Sequence, residues 1–225
     1  MSCDLGENVT QLEYLPALTP GGTLRLDTLA RIASVLRDGG LAVLPTETGY
    51  MLAAVATDVE AVTGVFTAKK RDLSHTMHVA CASLSMAAHF ADLTPMGVRL
   101  LGALTPGPCT VVAASTGLLP DRLVTMNGTV GIRIPDHPAT LQVLAELGTP
   151  LTATSVNESG TAYRAPSRAM LAELAWPAGR TVCVVDAGDT SSHALASTLV
   201  LTTGVEPVIL RQGPVTLSQI KDVLG

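Results

Sequence analysis

The sequence is poor in aromatic residues and in long apolar runs. Only 3% of its 225 residues are Phe, Trp or Tyr, although 47% are hydrophobic. A core must therefore be built from aliphatic side chains and alanine. No apolar run approaches the ~20 residues of a membrane-spanning helix, and the first residues lack the basic and apolar regions of a secretory signal. We therefore expect a cytoplasmic protein without a membrane segment.

Positive charge and reactive cysteine patterns are also scarce. Lys and Arg number 14 against 19 Asp and Glu, for a net charge of −5, so direct nucleic-acid binding is not expected. The four cysteines form no CxxC pair and no metal-spaced cluster with histidine, which favours reduced, mostly buried thiols and no metal site. The loops typical of P-loop NTPases and dinucleotide-binding folds are absent, as are GxSxG and HExxH.

What is present is an alternation of apolar strands with amphipathic helices. Residues 1–22 are predicted to be an irregular arm and residues 23–225 a single α/β domain, whose late strands without intervening helices indicate a mixed sheet. Asp58 is expected to cap a helix that ends at Lys69. The other helices are predicted at 26–36, 83–91, 95–104, 137–147, 166–175 and 216–224. Strands are predicted at 41–44, 77–82, 109–114, 129–134, 150–154, 181–186, 197–202 and 206–211.

Polar clusters stand at the ends of several of these strands, where α/β sheets collect ligands. Each cluster alone has an ordinary interpretation: Lys69–Arg71 as a solvated helix end, Ser155 and Asn157 as a turn, and Arg133 as half of a structural ion pair. Together they supply separated arginines, lysines and hydroxyl groups. That inventory suits a triphosphate and a carboxylate.

Seven motifs in order carry a resemblance to a known family. They are PTETGY (45–50), KKR (69–71), PGPCT (106–110), RIP (133–135), SVNESG (155–160), STLV (197–200) and LRQG (210–213). The sequence resembles the threonylcarbamoyl-adenylate synthases, also named Sua5/YciO/YrdC, in their short single-domain form. The resemblance implies a twisted, open mixed sheet with flanking helices and a deep cationic cleft. It also implies a nucleotidyltransferase that makes L-threonylcarbamoyl-adenylate from L-threonine, bicarbonate and Mg2+-bound ATP, with pyrophosphate release, for tRNA adenosine modification.

The same resemblance implies roles for individual residues. A catalytic tetrad of Lys69, Arg71, Ser155 and Asn157 would also bind ATP. Three further ATP contacts would come from His75, Thr129 and Arg211. The amino acid or its carbamate would meet Thr48, Tyr50, Arg133 and Ser197. No residue is implied as a protein ligand to a metal.

Several positions depart from the family pattern. Gly49 and Met51 replace a Val and a Gly, Asp72 and His75 follow the KKR motif, and Ala80 stands where the family has a histidine facing the amino acid. These departures lie on the amino-acid side, so an alternative is a paralogue that performs carbamoyl-adenylate chemistry on a different amine or carbamate. An RNA-binding module, or a carbamoyltransfer domain that needs partner chains, is a weaker alternative. A downstream carbamoyl-transferase is an expected partner in either enzymatic case.

Overall fold

The computed structural model describes residues 10–16, 18–70, 77–156, 166–188 and 195–225. Within these residues, strands alternate with helices. The strands are β1 (Gln11–Leu15), β2 (Leu41–Thr46), β3 (Gly49–Ala53), β4 (His78–Ala80), β5 (Ala91–Asp92), β6 (Cys109–Ser115), β7 (Thr129–Arg133), β8 (Leu151–Ser155), β9 (Thr181–Val185), β10 (Thr198–Leu201) and β11 (Val208–Arg211). The helices are α1 (Leu26–Arg37), α2 (Val59–Ala68), α3 (Leu84–Phe90), α4 (Pro95–Leu104), α5 (Pro138–Leu147), α6 (Arg168–Glu173) and α7 (Leu217–Leu224).

One mixed sheet organises the described chain. Its strand order is β1-β9-β2-β3-β8-β4-β7-β6-β10-β11, and β5 pairs with β6 off this path. Parallel pairs such as β4 with β7 stand beside antiparallel pairs such as β6 with β7. The predicted α/β fold with a mixed sheet and flanking helices is therefore confirmed. No helix in the described ranges is long and apolar enough to cross a membrane.

Two segments differ from the sequence-based prediction. The irregular arm predicted for residues 1–22 is wrong at Gln11–Leu15, which forms β1 and pairs in parallel with β9. Alternating side chains explain this strand, because Tyr14 packs against one core cluster and Leu15 belongs to the other. The strand predicted to stop at Pro45 continues to Thr46, and residues 49–53 return as β3. The PTETGY motif is thus a β-hairpin rather than a loop after a strand.

Two apolar clusters cover the two faces of the sheet. The first cluster includes α2, α3, α4, α6 and α7, together with Val79 of β4 and Ile132 of β7. The second lies under α1 and α5 and contains Met51 of β3 and Ala80 of β4. Among the described residues, β6, β7 and β10 contribute nothing to this second cluster. On the face of the sheet that α1 and α5 cover, the second apolar cluster therefore ends at β4. Polar residues lie on this face beyond β4.

Candidate active site

Arg133 is the centre of these polar residues. It ends β7, and because Val130 and Ile132 belong to the first core cluster, the alternation of the strand turns Arg133 to the opposite face. Its Nη1 donates to the Thr48 hydroxyl at 3.1 Å, and Nη2 forms an ion pair with Glu47. Arg133 is only 7% exposed. Its buried Nε has no acceptor among the described residues, so the guanidinium retains one N–H to offer an anion.

A second arginine lies beside the first. The Ser197 hydroxyl is 2.7 Å from that of Thr110, which is the β6 partner of Arg133. Arg211 donates from Nε and Nη2 to the Ser197 carbonyl at 3.1 and 2.9 Å, and from Nη2 to the Ser197 hydroxyl at 3.2 Å. Partial burial lowers the pKa of Arg211, and the nearby positive charge of Arg133 lowers it further. Two neighbouring arginines, of which Arg133 is paired with Glu47, make this end of the sheet attractive to an anion.

The β2–β3 turn that contacts Arg133 is held by its own hydrogen bonds. Gly49 has φ 106°, which favours glycine, so the Gly in place of the family Val is required by this turn. The Thr46 hydroxyl donates to the Gly49 carbonyl at 2.7 Å and accepts from the Thr48 amide at 3.2 Å. The second oxygen of Glu47 accepts from the Asp136 amide at 2.9 Å. These contacts fix the carboxylate and the hydroxyl that face Arg133.

A glycine permits the close approach that places Ser197. A Cβ built on Gly213 would lie 2.3 Å from the Ala196 carbonyl oxygen and 2.5 Å from the Thr198 amide nitrogen. The Gly213 amide donates to the Thr198 hydroxyl at 3.0 Å. The glycine of the LRQG motif therefore lets the chain after Arg211 lie against the start of β10.

Lys69 and Ser155 form a second polar group. Asp58 caps α2 as predicted, accepting from the Glu60 and Ala61 amides, and Lys69 follows the last turn of this helix. Lys69 is only 2% exposed, and its Nζ donates to the Ser155 carbonyl at 2.5 Å. Burial of an ammonium group requires such partners. Two members of the predicted tetrad are thus together, whereas Arg71 and Asn157, like His75, lie outside the described residues.

Two predicted site residues stand apart from Arg133. Thr129 begins β7, about 13 Å along the strand from Arg133 at ~3.3 Å per residue, and its hydroxyl is 2.7 Å from that of Thr125. Tyr50 belongs to the first core cluster, on the other side of the sheet. Its hydroxyl donates to the Gly188 carbonyl at 2.9 Å and accepts from the Ala187 amide at 2.8 Å. Contacts of Thr129 and Tyr50 with a ligand remain predictions.

Sequence reasoning missed two residues of the Arg133 cluster. The sequence assigns Glu47 no role beyond its place in the PTETGY motif, yet Glu47 forms the structural ion pair considered for Arg133. Thr110 is the last residue of PGPCT, and its cross-strand pairing with Arg133 places it in this cluster. A buried arginine in an apolar strand signals that a carboxylate must lie nearby, but not which one. In the part of the chain that the structure describes, no three His, Cys, Asp or Glu residues converge as a metal site.

Residues 34–213 match the family model Sua5_yciO_yrdC, which is described as "Telomere recombination". The chain belongs to this family. The Bacillus subtilis family member named threonylcarbamoyl-AMP synthase is 32% identical over 199 residues, and the match covers 88% of this chain and 56% of that protein. The family member described here thus spans little more than half the length of that relative.

Solved structures of the family agree with the fold. The crystal structure of Pyrococcus abyssi Sua5 complexed with L-threonine superposes with a TM-score of 0.80 and 28% identity, covering 96% of this chain and 61% of that one. Escherichia coli YciO superposes with a TM-score of 0.76 and 22% identity over 94% of this chain and all of that one. The YciO likeness shows the fold alone.

Proposed function

We propose that this family member forms L-threonylcarbamoyl-adenylate from L-threonine, bicarbonate and ATP, releasing pyrophosphate as a nucleotidyltransferase. The observation that carries the proposal is the buried Arg133, whose Nε has no acceptor among the described residues. It lies beside Arg211 and two hydroxyl groups in a chain similar to a Sua5 that was crystallised with L-threonine. An α-carboxylate matches this arrangement, because a charged N–H donor forms a strong hydrogen bond to a carboxylate oxygen.

The proposed chemistry needs positioning and charge more than a protein nucleophile. The amine of threonine adds to bicarbonate or CO2, and the resulting carbamate must then approach the α-phosphate of a polyanionic nucleotide. Fixed cations reduce that repulsion, and binding both reactants in one site replaces a bimolecular encounter. We assign the carbamoylated amino acid to Arg133, Thr48 and Ser197, and the nucleotide to Lys69 and Ser155.

Mg2+ would enter with the nucleotide. Mg2+ is usually coordinated by phosphates, waters and few carboxylates, so it would need no dedicated set of protein ligands. The ion would neutralise part of the triphosphate charge, while Lys69 would act on the same phosphates as a fixed point charge. Direct protein ligation of Mg2+ is not part of the proposal.

A different amine substrate is the second candidate, and one buried residue favours it. Ala80 is the cross-strand neighbour of Arg133 on β4 and is 0% exposed. The β4 neighbour of Arg133 is therefore an apolar methyl group rather than a polar side chain. An amino acid with a smaller or more apolar side chain than threonine would suit such a neighbour. Delivery of the product to a downstream carbamoyl-transferase acting on tRNA, in the cytoplasm, is proposed for the threonine enzyme.

Pyrophosphate release tests both candidates. The protein is incubated with ATP, Mg2+ and bicarbonate against L-threonine, other amino acids and small amines. Release that requires L-threonine supports the synthase, and release with another amine alone supports the second candidate. Arg133→Ala should lower kcat/KM at least about 30-fold, the loss expected when a buried charged hydrogen bond is truncated. Arg31→Ala, which removes an exposed ion pair with Glu13, is the control, and no release with any amine would refute the proposal.

A further inference from the structure

We propose that His78 contacts the ligand at the middle of this site, with its imidazole held in place by Gly131. The inference deepens the proposed function and uses ATP and L-threonine as probes. Neither residue was among the site residues predicted from the motifs. The geometry that supports the proposal comes from strand register, from side-chain alternation and from one close contact.

His78 faces the same side of the sheet as Arg133. It begins β4, where Val79 belongs to the first core cluster and Ala80 to the second. Alternation therefore turns His78 to the side of Ala80. Ala80 is in register with Arg133 on β7, so His78 lies two residues along the strand from the arginine, at a distance of roughly 6–7 Å along the strand.

The imidazole rests directly on Gly131. A Cβ built on Gly131 would lie 2.7 Å from Cδ2 of His78 and 3.3 Å from its Cγ. Gly131 stands between Thr129 and Arg133 on β7, two residues from each, so all three share one face of the strand. The absence of a side chain at residue 131 is what leaves room for the ring. His78 is also half-buried rather than enclosed in the core.

This position lies between the two polar groups of the site. On its other edge β4 pairs with β8, and His78 is in register with Ala153, two residues before Ser155. The path across the sheet from Arg133 to Ser155 and Lys69 therefore passes His78. A ligand with a carboxylate at Arg133 and phosphates at Lys69 would place its reacting centre, the carbamate, over the imidazole. A histidine ring can both donate and accept hydrogen bonds there.

A double-mutant cycle tests whether the ring and the glycine act together. His78→Ala, and Gly131→Ala through displacement of the ring, should each lower kcat/KM for pyrophosphate release about tenfold or more. The double variant should be little worse than His78→Ala alone, because the ring is already absent and the next contact of the added Cβ, the Thr110 methyl group, lies at 3.3 Å. The matched controls are His89→Ala, an exposed histidine of α3, and Gly102→Ala, where a Cβ meets nothing within 4 Å. If the losses in kcat/KM of the two single variants multiply in the double variant, the proposed link between the ring and the glycine is overturned. A fully active His78→Ala would overturn the proposed role of His78.

Ring resonances give a readout that does not depend on turnover or on the folding of Gly131→Ala. The imidazole signal of His78, assigned by its loss in His78→Gln, is followed while Mg2+-ATP or L-threonine is added to the whole protein. We expect this signal to shift with at least one of the two probes, and that of His89 to stay unchanged. If the signal shifts but no pyrophosphate is released with any amine, the proposed reaction fails while the binding role of His78 stands. A signal that neither probe moves overturns the inference.

Discussion

Removal of the Glu47 carboxylate should destabilise the fold far more than removal of an exposed acid. Arg133 is 7% exposed and Glu47 is its ionic partner, with 15% of the Glu47 side chain exposed. Loss of one partner from a buried ion pair costs ~3–5 kcal/mol, because the other charge remains buried. Because Arg133 would keep its bond to Thr48, we expect Glu47→Ala to lower the free energy of unfolding by about 3 kcal/mol. Glu47→Gln keeps an acceptor oxygen and should lower it by about 1–2 kcal/mol.

Urea unfolding at neutral pH, followed by circular dichroism, measures these costs. The matched control is Glu13→Ala, because Glu13 pairs with Arg31 at 2.8 Å in an ion pair whose side chains are 27% and 45% exposed. Such surface pairs are worth ~0–1 kcal/mol. If Glu47→Ala lowers the free energy of unfolding no more than Glu13→Ala does, Glu47 does not compensate the buried charge of Arg133. The electrostatic description of the site would then be refuted.

Three further predictions follow from close packing and burial. Gly213→Ala should lower the free energy of unfolding by more than about 2 kcal/mol, because the added Cβ would collide with backbone atoms. The control is Gly204→Ala, whose Cβ meets only one atom, at 3.7 Å. Equal unfolding midpoints for the two variants would contradict the collision. Burial lowers the pKa of His137, so the free energy of unfolding should fall as the pH drops from about 7.5 to about 5.5. The fall should be smaller in His137→Asn, which keeps a capping group. An equal fall in both proteins would disprove the assignment of this pH dependence to His137. Burial raises the thiol pKa to about 12 for Cys81 and Cys183 and to about 11 for Cys109. In Cys3→Ser protein, iodoacetamide at pH 8 should therefore label none of these three thiols in the native state and all of them after unfolding. Rapid labelling of the native protein would contradict their burial.

Local patterns predicted most of the sheet and helices. The capping of α2 by Asp58 and the apolar strands 109–114 and 181–186 appear in the structure within a residue or two, because period and end signals are local properties. β1 was missed because its partner strand lies about 170 residues away. Its five residues alternate too briefly to indicate a strand without that partner.

The site was predictable only in part. Motif order indicated Arg133, Ser197 and Arg211, and the structure brings these three together. Glu47 and His78 could not be assigned, because the ion pair joins two distant segments and the ring contact depends on the register of β4 with β7. Thr129 begins β7, at the opposite end of that strand from Arg133, and its contact with ATP stays a prediction.

The departure at Met51 also becomes explicable in three dimensions. Met51 pairs with Leu44 and Ser155 across regular strands and is buried in the second core cluster. A side chain at this position therefore contributes packing, and the positive φ that glycine accommodates occurs two residues earlier, at Gly49.

The placement of β9 between β1 and β2 has a consequence for how the chain acquires its fold. β9 pairs in parallel with both of these early strands, so β1 and β2 do not touch each other in the sheet. At ~5–20 residues per second, a ribosome needs roughly ten to thirty seconds to make the residues between β1 and β9. During that time the first strands are synthesised but the strand that joins them is not. Completion of this half of the sheet is therefore a late event of synthesis, with the high contact order that makes folding slow.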